Sequence, residues 1–220
     1  MSVAGADGYL IAYFVFKDGD HDALQQAHRE ALEEHIDVHS DEHFLRGSFG
    51  SIEIGTDDVP RITNLSYIER YTYENGSEEW DLLHSPLVRY YLGEGNYCFE
   101  TTKDVQTFAD LVATGYEATE NRPVAAFVET PNHRAVIETG RPPFTAKSLA
   151  NDEYESLAWI TIFTPPMVER YERETIRTVP AWRTTELSGG AIVVVAYEDP
   201  HDPTPDIYPT VADHIGLDTF

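Results

Sequence analysis

The sequence predicts an α+β fold, on three observations. Residues 8–17 (GYLIAYFVFK) are strand-like and lead into a helix-like stretch over 21–38, a second strand-like run over 62–74 and another helical stretch opening at Ser77. The same order returns near the C-terminus, in 157–163 (LAWITIF), 167–178, 191–198 (AIVVVAYE) and a short segment around 206–215. Between the two sets, 121–152 is rich in Pro and Gly. Strand, helix, returning strand, second helix is the grammar of a split βαβ, ferredoxin-like unit. Two tandem units, each an antiparallel sheet with two helices on one face, imply a pseudo-dimer whose two sheets pack together around an apolar pocket. The expected boundaries are 8–103 for the first unit, 104–152 for a connecting helix and Pro/Gly-rich segment, and 153–220 for the second unit.

Each element has its own warrant. Residues 9–16 are apolar and aromatic on both parities, as in a central strand covered on both faces. The turn KDGD follows, and Asp20 is placed to cap the next helix. On that helix Leu24, Ala27, His28, Ala31, His35 and Val38 recur at helical spacing, with Glu30, Glu33 and Asp37 mainly outward. Residues 44–54 read as one strand, its glycines at 47 and 50 marking a bulge or a close backbone approach. Residues 62–73 alternate like a half-exposed strand until Asn75-Gly76 breaks them. A short helix from Ser77 carries Trp80, Leu83 and Leu87, and 96–100 (NYCFE) supplies a fourth strand. Residues 104–114 are helical, with Val105, Phe108, Leu111 and Val112 as the apolar side, and a short strand falls at 125–129. The connecting segment serves as a lid or wall, or as a tether. Pro165-Pro166 suits a helix start, where a missing N–H costs little. Pro180 ends that helix, Gly189-Gly190 turns the chain into its most hydrophobic strand, and a Pro-rich loop over 199–209 precedes a last helical turn.

Charge is the outlier of the composition: 39 acidic residues face 15 basic ones, a net −24, and only Lys17, Lys103 and Lys147 are lysines. The acids are interleaved with apolar residues rather than gathered in a block, which points to a surface adapted to high salt rather than to a basic partner. A chain with no cluster of Lys or Arg is a poor nucleic-acid binder. One cysteine, Cys98, excludes an intramolecular disulfide framework. No apolar run approaches the roughly 20 residues of a membrane span, and no signal segment is evident, so a soluble cytoplasmic protein is expected.

Residues 171–200 (YERETIRTVPAWRTTELSGGAIVVVAYEDP) combine an acidic and aromatic helix, a VPAW turn, an Arg-containing strand and a returning strand that ends in Tyr-Glu. Residues 79–88 (EWDLLHSPLV) carry an H-x-P-L element. Together these resemble the EthD-like branch of the dimeric α/β-barrel superfamily, over about half the chain. The resemblance implies a dimeric α/β-barrel-type arrangement and a small-molecule activity. Such proteins include cofactor-free monooxygenases, polyketide cyclases, isomerases, haem-dependent aldoxime dehydratases and chlorite dismutases, and the shared fold does not select among them. Thr175 stands where many relatives have a histidine, so no catalytic histidine is carried into the second unit.

The sharpest chemical candidates are His28 and His35, two turns apart on one helix face. A histidine that titrates near neutrality is a natural general acid or base when it faces a pocket. The first choice for the base is His28, with Tyr13 and Tyr67 orienting a phenol, enol or oxime; Tyr71, His84 and Trp159 are expected to line the substrate. The competing reading is that the histidines hydrogen-bond at a packed helix–sheet interface. His35, His39 and His43 also suggest a metal site through their helical spacing, but a solvated helix end explains them better and no metal is expected. No nucleotide, phosphate or nucleophile-elbow motif occurs. The expected function is therefore a lyase, isomerase or cofactor-free monooxygenase acting on an apolar, aromatic or polyketide-like molecule, with a homodimer as a possible assembly. The alternatives are a haem enzyme using His133, His201 or His214 as axial ligand, and a non-catalytic small-ligand binding or assembly module.

Overall fold

The computed structural model describes residues 10–35, 39–40, 44–47, 50–58, 85–92, 99, 101–130, 143–200 and 207–218. The first strand, β1 (Leu10–Val15), is buried along its whole length, as an apolar run on both parities requires. It leads to α1 (His21–His35), whose first turn is capped by the Asp20 carboxylate accepting from the Ala23 N–H at 2.9 Å. Leu24, His28 and Leu32 recur at i, i+4 and i+8 and form the buried stripe of α1. Short strands β2 (His39–Ser40), β3 (Phe44–Gly47) and β4 (Gly50–Asp58) follow. The glycines at 47 and 50 pair with each other and close a hairpin, so 44–54 is two strands rather than one. Gly50 adopts φ +135°, which a side chain would disfavour.

Strand β5 (Pro86–Leu92) corrects the expectation that Leu87 belongs to a helix. Pro86 sits at the first residue, where its missing N–H costs no ladder bond, and Val88, Tyr90 and Tyr91 are good strand formers. Helix α2 (Thr102–Glu117) opens with a reciprocal capping box between Thr101 and Asp104 and buries Val105, Phe108, Leu111, Val112, Gly115 and Tyr116. A Cβ at Gly115 would lie 2.8 Å from Phe14 Cζ, so the glycine is what lets α2 approach the sheet this closely. Strand β6 (Ala125–Glu129) is entirely buried. Then come α3 (Ala146–Ala150), β7 (Ile160–Phe163), α4 (Pro165–Arg170), α5 (Arg173–Arg177), β8 (Arg183–Glu186), β9 (Ile192–Val195) and α6 (Ile207–Ile215). The two prolines open α4 as expected, and the helix predicted over 167–178 is divided at Glu172, which has φ +65°.

The described strands form one antiparallel sheet of nine, in the order β2-β3-β4-β5-β1-β6-β7-β9-β8. Within it, β4-β5-β1-β6 with α1 and α2 is a split βαββαβ arrangement. Its fourth position is held by Ala125–Glu129 rather than by residues 96–100, and its second helix is α2. Strand β6 pairs with β1 on one side and β7 on the other, so the two halves join edge to edge in a continuous sheet instead of packing as two separate sheets. The seam carries an inserted group. The Tyr154 hydroxyl accepts from the Ala126 N–H at 3.0 Å and lies 3.1 Å from the Ile162 carbonyl, where β6 meets β7. Helix α2 also reaches the second half, through Arg183 to Asp110 at 2.6 Å and Ser188 to Glu117 at 2.7 Å.

Among the described residues no helix is long and apolar enough to cross a membrane. The strand expected over 62–73 and the helix from Ser77 lie outside the described residues.

Candidate functional site

Paired residues of an antiparallel sheet share a face, so the register sorts the first half into two sides. Ala12 is opposite Tyr90 and Val128, and Phe14 is opposite Val88 and Ala126; this side meets α1 and α2. Tyr13 is opposite Arg89 and Phe127, and Ile11 is opposite Tyr91 and Glu129; this is the side away from those helices.

His28 belongs to the helix side and is fully buried. Its Nδ1 lies 2.5 Å from Tyr90 Oη, and its ring is boxed by Phe14 and Phe16 at centroid distances of 5.0 and 5.8 Å. Its Nε2 has no hydrogen-bond partner. Burial pushes the imidazole pKa down to about 3, so His28 is neutral at physiological pH. Burial likewise raises the Tyr90 phenol well above its ordinary value. This is the geometry of a packing histidine held at a helix–sheet interface.

Tyr13 is on the other side of the same strand, its ring tilted against Phe127 at 5.1 Å, so the sheet separates it from His28. Trp159 is a core residue. It stacks on Phe108 of α2 at 6.0 Å and donates through Nε1 to the Tyr197 carbonyl at 2.8 Å. His35 is the last residue of α1 and His39 starts β2, so the helical spacing of the imagined metal pair does not exist. Among the described residues no group of His, Cys, Asp and Glu is placed to hold a metal ion. Tyr67, Tyr71, His84, His43, His133 and His201 lie outside the described residues. His214 is exposed on α6, its Nε2 3.1 Å from the Thr175 carbonyl.

The side away from α1 and α2 carries chemistry that the sequence reading missed. Glu129 closes β6 with only 6% of its surface exposed. Burial raises its pKa well above the ordinary carboxylate range. Tyr13 is its diagonal neighbour across β1, about 7–8 Å away at the backbone. Arg89 follows in the same row as Tyr13, half-buried, with its Nε 3.1 Å from where a Cβ at Gly55 would sit. Gly55 thus makes room for the guanidinium stem. Phe144 packs on Phe127 at 5.8 Å, giving this face an aromatic border. A buried acid, a phenol and a guanidinium on one aromatic surface are the ingredients of proton transfer with stabilisation of a developing oxyanion.

A separate cleft of about 430 Å³ opens where the two halves meet, bordered by Lys17, Tyr116 and Arg122 from the first half and by Leu149, Asp152 and Thr164 from the second. Comparison of the chain with protein-family models, with curated proteins and with solved structures returns no match.

Proposed function

We propose that the chain is a small-molecule enzyme that works by proton transfer on an apolar, aromatic or polyketide-like carbonyl compound, as in isomerisation, cyclisation or dehydration. The observation that carries this reading is Glu129. A carboxyl group kept nine-tenths buried carries a desolvation cost, and such groups concentrate at sites where a raised pKa is useful. In this reading the protonated Glu129 delivers its proton to the substrate oxygen or carbon and recovers one from the adjacent C–H, so the exchange balances without an oxidant or a cofactor. Tyr13 orients the substrate and Arg89 offsets the charge that develops on oxygen. The same reading takes the two halves as tandem ferredoxin-like repeats of the EthD-like type. In support, β7-β9-β8 with α4 and α5 repeats the order of β1-β5-β4 with α1, while β6 occupies the place beside β7 where a further strand would lie.

The test is solvent exchange. A panel of aryl ketones incubated with the protein in deuterated water should gain mass at the carbon next to the carbonyl. Glu129→Gln should slow that exchange by about a hundredfold or more. Because the acid form is the active one, exchange should fall as pH rises through the elevated folded pKa. Difference infrared spectra near about pH 7 should also show a protonated-carboxyl band in the parent that Glu129→Gln removes. No exchange with any ketone, or equal exchange in the variant, refutes the assignment.

A further inference from the structure

The cleft between the halves inverts the charge balance of the chain. Acids outnumber bases 39 to 15 overall, yet this rim bears Lys17 and Arg122 against the single carboxylate of Asp152. Arg122 is held in position: its Nη1 donates to the Thr119 carbonyl at 2.6 Å and to the Glu117 carbonyl, closing the C-terminus of α2. Its remaining N–H groups keep their donor capacity.

Tyr116 forms the depth of the cleft, with 3% of its surface exposed and a hydroxyl that has no hydrogen-bond partner. A buried hydroxyl left unpaired is costly, and a ligand acceptor is one way to satisfy it. Burial raises its pKa to about 12, with Arg122 acting in the opposite sense, so it remains a donor at physiological pH. Thr164 adds a second hydroxyl, which makes no capping bond to the helix it precedes. Val124, Leu149 and Pro165 supply apolar walls. The volume is that of a small-ligand site.

We propose that this cleft binds a small organic carboxylate, its carboxylate between Arg122 and the Tyr116 hydroxyl and its apolar body against Val124, Leu149 and Pro165. Lys17 at the mouth contributes long-range attraction, which a chain of net −24 otherwise denies to any anion. The site is distinct from Glu129: Val124 and Glu129 flank opposite ends of β6, about 17 Å apart along the strand.

Calorimetry with the full chain tests the assignment, using benzoate as probe, with benzamide and inorganic phosphate as controls. Benzoate should bind at millimolar or lower concentration and benzamide at least about tenfold more weakly, since only the anion draws charge-assisted bonds. Arg122→Gln and Tyr116→Phe should each weaken benzoate about tenfold, and Glu129→Gln should leave it unchanged. Tyr116→Phe removes one oxygen from a site that already lacks a partner for it, so the fold survives even if Arg122→Gln unfolds. No benzoate binding, equal binding of benzamide, phosphate bound in preference to benzoate, or undiminished affinity in Tyr116→Phe would each overturn the proposal.

Discussion

Acid should unfold this protein partly through His28. The imidazole is enclosed by Phe14, Phe16 and Tyr90, and its pKa falls from the ordinary 6.5 to about 3 in the folded state. A depressed histidine pKa means that below 6.5 the unfolded chain binds a proton the folded chain refuses, so stability declines as pH falls from 6.5 towards 3. The full window is worth about 5 kcal/mol, at 1.36 kcal/mol for each pH unit. The pI of about 4.5, where a vanishing net charge promotes association, falls inside this window. Between about pH 7 and pH 5 the His28 contribution is about 2 kcal/mol. The comparison is His28→Asn, whose Oδ1 can still accept from the Tyr90 hydroxyl where Nδ1 stood. The smaller side chain leaves a cavity and costs stability, but that cost does not depend on pH and cancels in the difference. Urea denaturation at both pH values should show the parent losing about 2 kcal/mol more than the variant. Parallel losses would mean the ring protonates in place or the site opens to water, and the enclosed-histidine account would fail.

What the sequence reveals here is mostly local. Asp20 as a cap, Pro165-Pro166 at a helix start and Gly189-Gly190 before a strand each follow from backbone chemistry within a few residues, and the structure has all three. Leu87 lies on a strand rather than on the expected helix because a proline beside serine breaks a helix as readily as it opens a strand, and only the partners β1 and β4 decide between them. The two faces of β1 were hidden for a related reason. Residues 10–16 are apolar on both parities because both sides of β1 are covered, so no alternation told Tyr13 from Phe14. His28 and Tyr13 therefore looked like neighbours, although the sheet divides them. Glu129 did leave a trace, as the lone charge ending the run VAAFVE. In a chain with 39 acids that trace carries little weight until burial is known. The cleft was less readable still, since Lys17, Tyr116, Arg122 and Thr164 come from separated segments that only the β6–β7 seam brings together.

The seam and the surface can both be tested. Tyr154→Phe removes the hydroxyl that accepts from the Ala126 N–H and leaves that buried donor unpaired, so stability to urea should drop by about 1–3 kcal/mol; an unchanged midpoint would show that the two halves do not rely on this bridge. The salt response addresses the acidic composition. The described ion pairs, such as Arg177–Glu174 and Arg183–Asp110, are exposed or half-exposed, where such pairs contribute little. Even pairing every base would leave 24 carboxylates without a cation. Those charges are crowded on the folded surface and relax in the expanded chain, so screening favours the folded state. A thermal melt from about 0.1 M to about 3 M KCl should rise by at least about 5 °C, equivalent to one or two kcal/mol for a chain of this size. A flat or falling Tm would instead mean that the repulsion is balanced within the fold, and that the carboxylates are arranged for a basic partner rather than for salt.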